Sequence, residues 1–235
     1  MIDKIVGNAI DALSAVGDGA SVMIGGFGLA GMPGELIDAL VDHGARDLTI
    51  IANNAGAGEV GIAALIREKR VRKVICSFPR QADSHHFDAA YRNKELELEL
   101  VPQGTLAARI HAAGAGYGGI FTPTGFGTTL TEGKETREID GRNYVLEPPI
   151  HADFALIRAQ VGDRWGNLSY RMAGRNFGPI MATAARTTIA EVVDIVPLGE
   201  LDPEDVVTPG IFVQHVFRAE TRGRSDEAAR GEQAI

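Results

Sequence analysis

Residues 21–41 read SVMIGGFGLAGMPGELIDALV, and this stretch decides the fold. Its first four residues form a short, mostly apolar run typical of a buried strand, and the glycines after Ile24 end that strand. Pro33 favours the first turn of a helix. The apolar residues that follow recur at helical spacing, at Leu36, Ile37, Leu40 and Val41. The sequence therefore predicts a strand, a glycine-rich loop and a helix in immediate succession.

The same unit recurs through the first half of the chain. Apolar runs at residues 48–52 and 74–78 predict two more buried strands, and the Glu-Leu alternation at 95–101 predicts a half-exposed one. Helical patterns accompany these strands, at residues 3–16, 62–70, 83–91 and 105–113. Strands that alternate with helices form parallel sheets covered by helices on both faces. The fold class is therefore predicted to be α/β, with a doubly wound sheet.

The second half of the chain contains mostly strand patterns. Strands are predicted at residues 144–146, 153–157, 168–170 and 188–196, with one helix at 177–185. We expect these strands to extend the first sheet, giving a three-layer α/β/α arrangement around an open, mixed and largely parallel sheet. Residues 1–218 would form this domain. Residues 219–235 are rich in charged and small residues, and we expect a disordered C-terminal tail there.

Composition excludes several classes of protein. The 235 residues carry 31 acidic and 23 basic side chains, a formal charge of −8, which argues against nucleic acid or an anionic membrane as a partner. Cys76 stands alone and forms no internal disulfide. Two charges precede any apolar stretch at the N-terminus, and the uncharged residues 110–131 are too polar to span a bilayer. We expect a cytoplasmic protein.

The glycine-rich loop contains a literal G-x-G-x-x-G pattern at Gly26, Gly28 and Gly31. A dinucleotide site also needs an acidic residue at the end of the second strand, to hold a ribose hydroxyl. Asn53 and Asn54 stand there instead. The pattern therefore favours another ligand that carries a phosphate or thioester, held by backbone amides at a helix start. A tight turn with a purely structural role and a dinucleotide-binding oxidoreductase are the alternatives.

Further polar residues follow the predicted strands at the same edge of the sheet. In open α/β sheets, ligands bind at the carboxyl ends of the strands. Asn53 and Asn54 offer neutral donors for an oxyanion, or they only cap the following turn. Gln103 stands in a similar position before a helix. Arg80 is suited to binding a carboxylate through its guanidinium fork, and a surface salt bridge is its alternative role.

Metal binding and a cysteine nucleophile are both disfavoured by the sequence pattern. His85 and His86 are adjacent in a predicted helix, where successive side chains point about 100° apart, so they are expected not to share a metal ion. Cys76 lies in an apolar strand, where a packed thiol is the ordinary outcome. The sequence thus predicts no metal site and no cysteine nucleophile.

Beyond these single residues, a series of ordered motifs resembles one family, the A subunits of 3-oxoacid CoA-transferases. The motifs are DG at 18–19, GGF at 25–27, GMP at 31–33, NNAG at 53–56, PQGTL at 102–106, TPTG at 122–125, EGKE at 132–135, DRWGN at 163–167, AGRNF at 173–177 and GELDP at 199–203. The resemblance covers residues 1–218 and implies the CoA-transferase, or NagB/RpiA-like, fold.

The resemblance implies a two-step exchange of coenzyme A between acids. A glutamate attacks the donor thioester, a mixed anhydride forms, and CoA returns to give a glutamyl-thioester that the acceptor acid takes over. In the family that glutamate lies in a Ser-Glu-Asn-Gly motif of the B half, and the motif is absent from these 235 residues. This chain would therefore be active only with a B subunit, expected as an A2B2 assembly, with succinyl-CoA as a substrate and no permanently bound cofactor. A non-catalytic CoA-binding module is a further alternative.

The resemblance also assigns roles to the residues found above. The loop formed by Gly25, Gly26, Phe27, Gly28, Leu29, Ala30 and Gly31 resembles the family's CoA-binding loop. Asn53 resembles an asparagine that holds the thioester oxyanion, Gln103 matches a glutamine that lines the substrate pocket, and Asn54 is assigned to substrate binding beside them.

The acceptor acid is predicted from one segment. Residues 76–83, CSFPRQAD, look like the branch that acts on 3-oxoadipate in the breakdown of aromatic compounds. That acid carries a second carboxylate, which Arg80 would recognise by a charged hydrogen bond worth roughly 1.5–3 kcal/mol. Acetoacetate, which lacks the second carboxylate, is the alternative acceptor.

Overall fold

The structure is a computed structural model that describes residues 2–220. Of the predicted tail, only residues 219 and 220 fall within the described residues, and the rest lies outside them. No helix among residues 2–220 is both long enough and apolar enough to cross a membrane.

The described residues form eleven strands and six α-helices. The strands are β1 (Ser21–Ile24), β2 (Leu48–Ile51), β3 (Val71–Cys76), β4 (Glu97–Leu100), β5 (Ile120–Thr122), β6 (Thr136–Ile139), β7 (Arg142–Glu147), β8 (Ala152–Gly162), β9 (Leu168–Ser169), β10 (Ala185–Ile195) and β11 (His215–Arg218). The helices are α1 (Ala9–Leu13), α2 (Gly34–His43), α3 (Ile62–Arg67), α4 (His85–Arg92), α5 (Gln103–Gly114) and α6 (Gly178–Ala184).

Seven strands form one parallel sheet in the order β11-β10-β8-β1-β2-β3-β4. Strand β9 joins it by antiparallel pairing with the end of β8. The prediction of an open, mixed and largely parallel sheet is therefore confirmed, and strands from both halves of the chain contribute to it. The position of β4 explains the Glu-Leu alternation of its sequence. It is an edge strand of the sheet, and its residues are only partly covered.

Two apolar clusters lie on the two faces of this sheet. One packs α1, α2, α3 and α4 against residues such as Val22 and Ile50, and the other packs α5 and α6 against Met23 and Ile51. Neighbouring strand residues alternate between the clusters because successive side chains of a strand point to opposite faces. The predicted three layers, helices on each side of a sheet, are confirmed.

Several element boundaries differ from prediction. The first helix covers only Ala9–Leu13, because Asn8 caps it by accepting from the Asp11 amide, and Ile5 instead pairs with Val216 of β11. Strands β8 and β10 each run for eleven residues. Strands β5 and β6 were not predicted, and they form a separate antiparallel sheet with β7 in the middle.

Candidate active site at the carboxyl ends of the strands

A cavity of about 430 Å³ lies beyond the carboxyl ends of β1, β2 and β3, next to the first turn of α5. The fold therefore brings together three residues that the sequence singled out, Asn53, Asn54 and Gln103, with Phe27 and Gly28 of the glycine-rich loop. The lining is completed by Ser77, Phe78 and Gln81. This convergence follows from parallel pairing, which places the ends of successive strands at one edge.

Asn53 is a buried side chain of this cavity that other side chains hold in place. It is 5% exposed, and its side-chain oxygen Oδ1 accepts from Gln103 Nε2 at 2.7 Å and from Ser77 Oγ at 3.0 Å. The contact with Gln103 Nε2 sets the orientation of the Asn53 amide, because the opposite orientation would bring two NH₂ groups face to face. Ser77 Oγ shares its one proton between Oδ1 and the backbone carbonyl of Asn53. The amide nitrogen, Nδ2, donates to no residue within 2–220. The side chain is therefore rigidly held and presents a free neutral donor.

The backbone of Asn53 is held in the same way. Its carbonyl oxygen accepts from the amides of Ser77 and Phe78 at 3.2 and 3.1 Å, and from Ser77 Oγ at 3.0 Å. Ser77 thus contacts both the backbone and the side chain of Asn53. Ser77 was not predicted as a site residue, although a hydroxyl residue directly after a buried strand was a usable signal.

Asn54 makes a different kind of contact. Its Oδ1 accepts from the Gly56 amide at 2.9 Å, the hydrogen bond of an Asx turn. Asn54 also lines a second cavity of about 240 Å³ that shares Gly28 and Gln81 with the first. The two adjacent asparagines therefore differ: one supports a turn at the rim, and the other is fixed inside the site.

The glycine-rich loop is closed by its own hydrogen bonds. The Phe27 amide donates to the Ala30 carbonyl at 3.0 Å, and the Ala30 amide donates back at 3.2 Å. The Gly26 amide donates to Oδ1 of Asn176 at 3.1 Å. Asn176 Nδ2 in turn donates to Ala30 O at 2.8 Å. Asn176, in the AGRNF motif, fastens the loop from 150 residues away and was not predicted as a site residue.

The backbone amides at the start of α2 also donate to a side chain of the protein itself. The amides of Glu35 and Leu36 donate to Oε2 of Glu191 at 2.9 and 3.1 Å. Glu191 is fully buried in β10, and Arg158 lies 3.5 Å from its other oxygen. Burial raises the pKa of Glu191 to about 7, while Arg158 and the two backbone amides oppose that rise. A carboxylate of the protein thus occupies the helix start that a dinucleotide phosphate requires.

Arg80 lies outside both cavities among the described residues. Its Nε is 2.6 Å from Oδ1 of Asp88 in α4, and its side chain is 58% exposed. The structure thus shows the surface ion pair that was the alternative role of this arginine. Its neighbour Gln81 lines both cavities.

The expected divergence of His85 and His86 is wrong. Both imidazoles reach the same carboxylate, Glu59, with His85 Nε2 at 2.9 Å and His86 Nε2 at 3.0 Å. The two ring centroids are 4.0 Å apart. Because these histidines occupy the first turn of α4, both side chains reach back over the loop that carries Glu59.

Comparisons with known proteins agree with the fold. The family model described as Coenzyme A transferase matches residues 6–219. The A subunit of the 3-oxoadipate CoA-transferase of Pseudomonas putida is 65% identical over 216 residues, which cover 92% of this chain and 94% of that protein. The A subunit of the succinyl-CoA:3-ketoacid coenzyme A transferase of Helicobacter pylori strain 26695 is 43% identical over 219 residues, covering 93% and 94%.

A solved structure shows the same fold at low identity. An acyl-CoA transferase of E. coli O157:H7, in a thioester complex with CoA, superposes with a TM-score of 0.81 at 22% identity. The match covers 94% of this chain and 48% of that one, so this chain spans about half the length of that enzyme. With the family model matched over nearly all of the described residues, the chain belongs to the coenzyme A transferase family.

Proposed function

We propose that this chain is the A subunit of a 3-oxoadipate CoA-transferase, which moves CoA from succinyl-CoA to 3-oxoadipate in the breakdown of aromatic compounds. The observation that carries the proposal is the buried Asn53, whose oxygen is saturated and whose amide nitrogen is left as a donor at the cavity. The 65% identity to the 3-oxoadipate transferase chain, against 43% to the 3-ketoacid transferase chain, supports this acceptor. We expect the enzyme in the cytoplasm.

Asn53 is suited to stabilise an oxyanion. Attack on a thioester moves negative charge onto the carbonyl oxygen, and a donor that is already oriented stabilises that charge without reorganisation. An amide has no proton to lose at neutral pH, so it remains a donor throughout the cycle. Gln103 and Ser77 act on Asn53 by holding its orientation, and Gln103 also lines the cavity where the substrate would lie.

The nucleophile is proposed to come from a separate B subunit. The residues that line the Asn53 cavity include asparagine, glutamine, serine and phenylalanine, and none of those described carries a carboxylate. Transfer of CoA through an anhydride needs a carboxylate nucleophile in a shielded site. A second chain that covers this cavity would supply both the glutamate and the shielding, in an A2B2 assembly.

In the proposed cycle, the partner's glutamate attacks the carbonyl of succinyl-CoA and expels CoA as a thiolate, leaving a mixed anhydride. The thiolate then attacks the glutamyl carbonyl, which releases succinate and leaves a glutamyl-thioester. The carboxylate of 3-oxoadipate repeats these steps in reverse and departs as 3-oxoadipyl-CoA. No cofactor is consumed, because the thioester bond is passed on at each step. Phe27 and Gly28 line the cavity, and we propose that this part of the loop contacts the bound CoA.

We propose that Arg80 binds the second carboxylate of 3-oxoadipate. In the structure Arg80 lies outside both cavities and pairs with Asp88, so its side chain would have to leave Asp88 and turn toward the cavity to meet the substrate carboxylate. Arg92 provides a matched control, because it is also exposed and lies 3.7 Å from Asp88. The two arginines thus differ in position along the chain but share one partner.

The test is a transfer assay with succinyl-CoA and either 3-oxoadipate or acetoacetate, run on this chain alone and on the chain co-expressed with a B subunit. We expect activity only in the pair, with the higher kcat/KM for 3-oxoadipate. The variant Arg80→Ala should lower that preference, and Arg92→Ala should leave it unchanged. A higher kcat/KM for acetoacetate would overturn the acceptor, and transfer by the chain alone would overturn its role as a half-enzyme.

A further inference from the structure

The loop between β2 and α3 meets the first turn of α4 in a cluster of metal-ligating side chains. Glu59 comes from the loop, and His85 and His86 are the first two residues of the helix. One ligand atom from each of the three lies within 4.8 Å of the other two. These residues are separate from Asn53 and have no part in the proposed transfer of CoA.

From this arrangement we infer that Glu59, His85 and His86 form a binding site for a transition-metal ion, with Zn²⁺ as the ion of best fit. Two imidazole nitrogens and one carboxylate oxygen are ligands that zinc accepts, and they leave a fourth position for water. Oxygen-seeking ions such as Mg²⁺ and Ca²⁺ fit poorly, because two of the three donors are nitrogens.

Two of the three spacings between donor atoms are close to those of a zinc site, and the ligand atoms of the two histidines lie within 4.8 Å of each other. Nε2 of His85 and Nε2 of His86 lie 2.9 and 3.0 Å from Oε1 of Glu59. Ligands about 2.0–2.1 Å from a tetrahedral zinc ion stand about 3.3 Å from one another. Insertion of the ion therefore replaces hydrogen bonds by coordinate bonds and widens these spacings by a few tenths of an ångström.

Neighbouring residues hold two of the ligands in place. Asp83 Oδ1 lies 2.9 Å from Nδ1 of His85, so the opposite nitrogen, Nε2, faces Glu59. A carboxylate behind a histidine is a common support of zinc ligands, because it orients the ring and raises its basicity. Arg67 Nη1 lies 2.8 Å from Oε2 of Glu59, which His86 Nε2 also approaches at 3.0 Å, while Oε1 contacts both imidazoles. The positive charge of Arg67 opposes the ion and would limit its affinity.

A bound ion would join two segments that form one wall of the second cavity. Glu59 and Asp83 both line that cavity, which also includes Asn54 at the rim of the proposed active site. The Gly58 amide already donates to the Asp83 carbonyl at 2.8 Å, so the loop and the start of α4 are in contact. The ion would fasten them by coordinate bonds, and thermal stability should rise.

The experiment titrates ZnCl₂ into the full chain after dialysis against a chelator, at pH 7.5, by isothermal calorimetry, with the midpoint of thermal unfolding as a second measurement. We expect one equivalent of bound Zn²⁺ and a higher midpoint. The variants Glu59→Gln and His86→Ala should lose both effects. His111→Ala, at an exposed histidine of α5, is the matched control and should keep them.

Circular dichroism without metal establishes that each variant is folded, and His85→Ala replaces any variant that is not. Titration with Co²⁺ adds a spectroscopic signature, because visible absorption bands report nitrogen and oxygen ligands around the ion. The inference is overturned if the wild-type chain binds no stoichiometric Zn²⁺, or if folded variants of Glu59 and His86 bind it as tightly as the wild type.

Discussion

The glycine-rich loop at residues 25–31 and the Asn53 cluster both follow buried parallel strands, yet they use their hydrogen-bond donors differently. In the loop, the amides of Gly26, Phe27 and Ala30 donate to groups of the protein itself. The amides of Gly28, Leu29 and Gly31 donate to no residue within 2–220. In the Asn53 cluster, two donors converge on one oxygen and leave an amide nitrogen free. A glycine pattern that resembles an anion site therefore requires a full account of its backbone donors before a ligand is assigned to it.

The largest effect on activity is predicted for substitution of Asn53. In the assembled enzyme, Asn53→Ala should lower kcat about 10²- to 10³-fold, the loss seen when one oxyanion donor is removed. Asn54→Ala removes the turn contact with Gly56 and should have a much smaller effect on kcat. Steady-state kinetics with succinyl-CoA measure both, and thermal unfolding shows how much of each change is structural. A larger loss of kcat in Asn54→Ala would reverse the assignment of the two asparagines.

The glycine-rich loop is predicted to contribute to stability through its close packing. Alanine substitutions at two of its glycines test this prediction. Gly31 has a φ of +72°, and an added Cβ would clash with the Gly174 carbonyl oxygen. Gly28 has a φ of +59°, and an added Cβ would meet no atom within 4 Å. Gly31→Ala should therefore cost about 3 kcal/mol or more in the free energy of unfolding, and Gly28→Ala about 1 kcal/mol.

Urea unfolding of the two alanine variants gives these free energies directly. Both variants carry the same penalty for a left-handed backbone, so the difference between them isolates the contact of Gly31 with Gly174. Equal losses of stability would mean that the loop moves away from Gly174 at little cost, and that its close packing is not what holds it.

The sequence predicted Asn53 and Gln103 of the Asn53 cluster. It did not predict the residues that hold the glycine-rich loop and the start of α2, because those residues lie far away along the chain. The convergence of Asn53 and Gln103 followed from local periodicity, because alternating strands and helices imply a parallel sheet whose strand ends meet. Asn176 and Glu191 gave no such signal. Each contacts a residue at least 150 positions away, and nothing in its local sequence specifies that contact.

In the second half of the chain, the strands are also more numerous than the sequence predicted, and most of the predicted ones are longer. Strand β8 continues five residues beyond the predicted end, through Arg158 and Gln160, because pairing with β10 holds it over its length. Polar residues interrupt the apolar run, so periodicity alone ends the strand too early. The small sheet of β5, β6 and β7 was not predicted, in part because all four residues of β6 are exposed and carry no apolar alternation.

Glu191 makes the start of α2 sensitive to pH. Burial raises its pKa to about 7, above the 4.5 of an exposed glutamate, so between these values the folded chain holds a proton that the unfolded chain has released. The contribution of protonated Glu191 to the free energy of unfolding is therefore fully present below about pH 4.5 and is lost as pH rises toward 7. Glu191→Gln removes this loss, so relative to the wild type it should gain up to about 3 kcal/mol between pH 5 and pH 8.

Urea unfolding of the wild type and Glu191→Gln at pH 5, 6, 7 and 8 measures this difference. The glutamine keeps an oxygen that accepts from the amides of Glu35 and Leu36, which makes the variant a close match in shape. Parallel curves for the two proteins would show that Arg158 keeps Glu191 ionised, and that the helix start carries a permanent charge.

The smallest effect is expected at Cys76, which precedes Ser77 and lies beneath the candidate active site. The thiol is fully buried in β3, and burial raises its pKa to about 12. Only the thiolate reacts with alkylating reagents, so at pH 8 about one thiol in 10⁴ would be reactive even if the reagent reached it. Native protein should therefore stay unlabelled by iodoacetamide, while urea-unfolded protein takes up one label per chain. Labelling of the native protein at the rate of a free thiol would mean that β3 opens at its carboxyl end, and the rigid support proposed for Asn53 would then be lost with it.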